Sequence, residues 1–110
     1  TTFNLESNNR GLGFMIIQID VTQDHIDNGK RYECNACPVA LAFQKHINDD
    51  YSFEINDEYI DVVTKFNGYT QDEITVPYTV TAFVRNFDSR KPVEPFSFQI
   101  DIQDRFLRKI

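Results

Sequence analysis

The chain has 110 residues, with 11 Lys and Arg against 17 Asp and Glu and a formal net charge of −6. That length makes one domain of ordinary size, able to fold around its own core without a disulfide or a metal. The charge argues against a phosphate-backbone binder, which needs a basic face, and no apolar stretch approaches the ~18 residues of a membrane span.

Ten Phe and five Tyr without Trp predict an aromatic-rich core. The opening, TTFNLESNNRGLGF, lacks the basic and apolar regions of a secretion signal. With only two cysteines, the expectation is reduced thiols and a cytoplasmic protein.

Residues 1–13 show no period and read as a flexible arm. We place an arm of residues 1–14 before a single domain of residues 15–110. Residues 14–21, FMIIQIDV, alternate as a strand, with Ile17, Ile19 and Val21 on one face. Thr22 then has the side chain of an N-cap, and Val21 and Ile26 have hydrophobic-staple spacing. Gly29 is expected to end this short helix in a left-handed conformation. Residues 37–47 form the second helix, with Pro38 in its first turn and Val39, Phe43 and Ile47 as its stripe.

YSFEI (51–55) alternates again, and EYIDVVT (58–64) follows across Asn56-Asp57, a hairpin signal. Asn67-Gly68 is a second turn signal, and residues 64–76 read as a polar loop or a short extra strand. Pro77 opens a third helix with Val80, Phe83, Val84 and Phe87 on one face. DSRKPVEP breaks it. FSFQIDI (96–102) then shows the clearest alternation in the chain. The order β-α-α-β-β-α-β predicts an α+β fold: a four-stranded antiparallel or mixed sheet with three helices on one face.

The stretches VTQDHIDNGKRYECNACPVALAF and FVRNFDSRKPVEPFSFQIDI resemble a family of small proteins from bacteriophages and bacterial genomes. Ile26 to Gly29 match its I-x-x-G helix end, Cys37 to Ala42 its C-P-x-A-x-A helix start, and Phe87 to Phe98 its F-D-x-x-K-P-V-x-P-F-x-F tail. The likeness covers about residues 15–102. It implies a phage-like or bacterial origin, with a host cytoplasm as the compartment if the protein is phage-encoded. It brings no activity and therefore no residue roles.

Three stretches carry chemistry worth weighing. Cys34 and Cys37 form a CxxC, two thiolates at a good bite for zinc, and His25 and His46 are the only histidines to complete four ligands. The spacings match no common zinc pattern. A redox role is the second reading, since Cys37 borders a helix start. The plain reading makes Cys37 a small buried hydrophobe ahead of the core-building PVALAF.

The second stretch is acidic. Asp49, Asp50, Glu54, Asp57, Glu58 and Asp61 fall between Lys45 and Lys65 with no positive residue among them. They predict a negative patch for a basic protein surface; the plain alternative is a solvated hairpin whose like charges discourage edge pairing. The third stretch is the two-proline loop at 88–95, a stiff binding segment to which Arg85, Arg90 and Lys91 supply positive charge; the plain alternative is that its prolines only set the return path from helix to last strand.

No nucleophile elbow, phosphate-binding glycine loop or HExxH occurs, and no enzyme activity or cofactor is expected. The leading expectation is a small soluble protein-binding module. Its concrete form is a phage-encoded modulator or inhibitor of a host or defence protein, bound through a basic partner surface. Neither nucleic acid nor membrane is expected as a partner. The alternative is a small zinc- or redox-linked protein using the CxxC pair, and a homo-oligomeric component is a third reading.

Overall fold

The computed structural model describes residues 13–108. Its elements are β1 (Phe14–Val21), α1 (Gln23–Asn28), α2 (Pro38–Gln44), β2 (Tyr51–Ile55), β3 (Tyr59–Thr64), β4 (Thr70–Thr75), α3 (Tyr78–Asp88) and β5 (Phe96–Gln103), followed by a 3-10 turn at Asp104–Phe106. Residues 1–12 of the expected arm lie outside the described residues. Phe14, assigned to the arm by the sequence, is the first residue of β1.

The α+β class stands and the element order holds apart from one added strand, but the single four-stranded sheet does not. The strands form two sheets, β1-β5 and β2-β3-β4. The first is antiparallel along the whole of β1, from Phe14 opposite Gln103 to Val21 opposite Phe96. The second is a meander with a register shift between Val62 and Val63. The extra strand is β4, TQDEIT, within the stretch read as a polar loop or a short extra strand. Only Ile74 of this strand is buried. An edge strand needs one inward anchor and tolerates charge elsewhere, which hides it from a hydrophobicity pattern. Gln103 Nε2 of β5 donates to Asp72 Oδ2 of β4 at 3.2 Å and ties the sheets together.

One core serves both sheets. Phe43 of α2 meets Phe53 of β2 edge-on at 5.0 Å, and Phe83 of α3 meets Phe96 of β5 at 4.8 Å. Val39, Phe43 and Ile47 are all buried, as their spacing required. Helix α2 itself is shorter than its stripe and ends at Gln44. Thr81 of α3 is buried with Val80 and Val84.

Thr22 caps α1, and His25 completes a capping box. The Thr22 N–H donates to His25 Nδ1 at 3.0 Å, while the His25 N–H donates to Thr22 Oγ1. Gly29 does not adopt the expected positive φ; its φ is −75°. Glycine is required there for space. A Cβ would stand 2.5 Å from Pro38 Cδ and 2.6 Å from the Pro38 nitrogen. The Asn56-Asp57 hairpin forms without left-handed residues. Asn56 Oδ1 instead accepts the N–H groups of Glu58 and Tyr59 at 2.8 and 2.7 Å.

Candidate functional site

Strands β2, β3 and β4 carry four acids and no Lys, Arg or His. Their inward residues, Phe53, Ile55, Ile60, Val62 and Ile74, are buried. Period-2 alternation therefore sends Glu54, Asp61 and Glu73 to the other face. Register then aligns them. Glu54 is opposite Asp61 on one side, and Asp61 is opposite Glu73 on the other. The result is a row of three carboxylates crossing the sheet, with Cβ atoms of neighbours about 5 Å apart.

Glu54 and Glu73 are exposed, while Asp61 is half-buried between them. One oxygen of Asp61, Oδ1, is buried and has no hydrogen-bond partner among the described residues. Like charges directly opposite on a sheet are destabilising, so the row costs the fold stability.

The other acids of the expected patch divide. Asp50 and Glu58 are exposed, at the start of β2 and in the β2–β3 turn. Asp57 shares that turn but is ion-paired to Arg85 of α3 at 2.7 Å. This contact raises the Arg85 pKa through the hydrogen bond and the charge of Asp57. Asp49 faces Arg108 at 3.4 Å. The structure thus gathers Glu54 and Asp61 and adds Glu73, which the sequence reading left out because it held residues 64–76 open between a polar loop and a short extra strand. A signal was present: Ile74 and Val76 alternate with Glu73 and Thr75 over the end of that stretch.

Arg90 and Lys91 lie elsewhere, beyond the end of α3. They border a depression with Ile26, Arg31 and Val93. Arg90 has a φ of +64°, and the Lys91 N–H donates to the Asn86 carbonyl at 2.9 Å. The loop turns tightly against the helix it leaves.

The cysteine segment works as a backbone clasp. The Ile55 N–H at the end of β2 donates to the Cys34 carbonyl at 2.7 Å, and Arg31 Nε donates to the Phe87 carbonyl of α3 at 3.0 Å. The Tyr32 N–H reaches Asp88 Oδ1 at 3.0 Å. Both cysteines are free thiols: Cys34 is exposed, and Cys37 is buried at the N-cap of α2. Burial pushes the Cys37 thiol pKa up, with backbone hydrogen bonds from Ala40 and Val39 opposing. That is the reverse of the lowered thiol pKa that marks a reactive cysteine. His25 Nδ1 is committed to the cap of α1. Among the described residues no three His, Cys, Asp or Glu are grouped to hold a metal, so Cys34, Cys37, His25 and His46 are not brought together as a ligand set.

His46 lies beyond α2, with a buried Nε2 that has no hydrogen-bond partner among the described residues. Burial lowers its pKa, the neighbouring Lys45 lowers it further, and Asp20 works the other way. Asp20 has a lowered pKa of its own because Ser97 Oγ and Gln18 Nε2 donate to it at 2.6 and 2.8 Å. Among the described residues no helix is long and apolar enough to cross a membrane.

Comparison with protein-family models, with curated proteins and with solved structures finds no match, so the resemblance drawn from the sequence motifs gains no support there.

Proposed function

We propose that the protein is a non-enzymatic binding module whose outer face on β2-β3-β4 docks on a basic surface of another protein. The observation that carries this reading is the register that aligns Glu54, Asp61 and Glu73 across three strands. Such a row presents fixed negative charge at strand spacing, about 4.8 Å. Fixed charge of one sign steers a basic partner on approach and sets its register more than it adds affinity. A protein this small that covers a basic surface acts as a modulator or inhibitor, with a host or defence protein as the form suggested by the sequence motifs.

The test uses the full chain as bait against extract of its native host, beside the variant Glu54→Lys with Glu73→Lys. The expected result is a basic protein retained by the wild type and lost by the variant, with the variant's melting temperature unchanged or raised. Equal retention by both baits removes the row from the binding surface. Loss of binding together with a lower melting temperature refutes the reading as well, since the row is argued to cost stability.

A further inference from the structure

A second feature uses none of the row's three acids. A groove of about 940 Å³ opens between the start of β1, the residues after α2 and the 3-10 turn. Met15, Ile17 and Leu107 supply apolar surface, and Lys45, Arg105 and Arg108 supply positive charge. Asp104 is the one carboxylate among the described lining residues, and His46 borders the groove with its unpartnered Nε2. In a chain of net charge −6, a concentration of three cations around hydrocarbon runs against the composition.

The volume lies within the range of small-molecule sites, about 300–1,000 Å³. Arg105 is held in place: its Nε donates to Gln103 Oε1 at 2.8 Å and its guanidinium lies 4.3 Å over the Phe106 ring. Arg108 reaches Asp49 at 3.4 Å with both ends largely exposed, a weak pair that a ligand carboxylate can replace. Met15 is 50 % exposed and lines the groove.

We propose that this groove binds a single-chain anionic amphiphile of the fatty-acid type, its hydrocarbon against Met15, Ile17 and Leu107 and its carboxylate among Lys45, Arg105 and Arg108. The charge complementarity decides the class. A neutral apolar ligand would leave the three cations unused, and a compact inorganic anion would leave the apolar floor bare.

Calorimetric titration of the full chain with decanoate, below its micelle concentration, tests the assignment, with decanol as the uncharged control. Decanoate is expected to bind one molecule per chain. Lys45→Glu is expected to weaken it about tenfold, the reversal of one rim charge. Lys45→Gln gives a smaller loss in the same direction and covers the case in which the reversal disturbs folding. Lys91→Glu, on a separate loop, is expected to change nothing. The proposal is overturned if decanol binds as tightly as decanoate, if Lys91→Glu weakens binding as much as Lys45→Glu, or if decanoate shows no binding at about 1 mM. It is also overturned if light scattering shows a dimer that Leu107→Asp dissociates, because a second copy would then occupy the groove.

Discussion

Asp61→Asn tests the acidic row where its cost is greatest. Asp61 faces two carboxylates, Glu54 and Glu73, on its two neighbouring strands. Two unit charges about 5 Å apart in a water-like medium repel by about 0.8 kcal/mol, and physiological salt reduces this by about half. Asparagine has nearly the same shape and relieves both pairs at once, so the variant should gain about 1 kcal/mol. For a chain of this size that raises the melting temperature by about 5 °C. Glu73→Gln relieves only one pair and should gain about half as much. Urea denaturation at low salt and again near 1 M salt, where the Debye length falls to about 3 Å, separates charge from packing. The gain should nearly vanish at high salt. An Asp61→Asn protein no more stable than wild type at low salt, or a gain indifferent to salt, refutes the row as a strained charge array. On the proposed function the same substitution should weaken binding to a basic surface, so stability and binding should move in opposite directions.

Gly29→Ala places a methyl group 2.5 Å from the Pro38 ring at an ordinary negative φ, so the clash alone acts. It should cost about 1–3 kcal/mol by urea denaturation, and a change within about 0.5 kcal/mol would show that the α1–α2 packing gives way freely. His46 carries a folded-state pKa below its ordinary 6.5 because burial disfavours the imidazolium. Above that value neither state binds the proton, and as pH falls below it the unfolded chain gains the proton first. Stability should therefore decline as pH falls from about 6.5, and His46→Gln should flatten that part of the profile; an unchanged slope would assign the decline to other groups. Iodoacetamide should label exposed Cys34 in the native protein and Cys37 only after unfolding. Equal labelling rates would contradict the buried, protonated Cys37.

Legibility followed how strongly each segment buried itself. Residues 14–21 and 96–102 alternate in the sequence and form strands β1 and β5. Thr22, Val39 and Phe43 do what their spacing says, because one amphipathic period decides each. Strand β4 was obscured because an edge strand anchored by Ile74 looks like loop composition. With that stretch left open between loop and strand, Glu73 and the alignment of the acids were concealed as well. Gly29 was misread for a different cause. A glycine can serve conformation or space, and only the approach of Pro38 distinguishes them. The division into two sheets was equally hidden, since strand order depends on long-range pairing that no local pattern encodes.

The distribution of ion pairs bears on whether the row is more than surplus charge. A chain with 17 acids has enough carboxylates to crowd any surface. The structure, however, pairs the acids at the margins of the sheet, Asp57 with Arg85 and Asp49 with Arg108, and puts no cation on the strands between them. Lys or Arg at any position opposite Asp61 would relieve repulsion at no cost to the core, because that face is outward. That unrelieved repulsion is what the proposed binding surface rests on. This is the physical reason to propose the binding surface at Glu54, Asp61 and Glu73 and not over the wider acidic stretch, four of whose six acids are paired or lie in the turns.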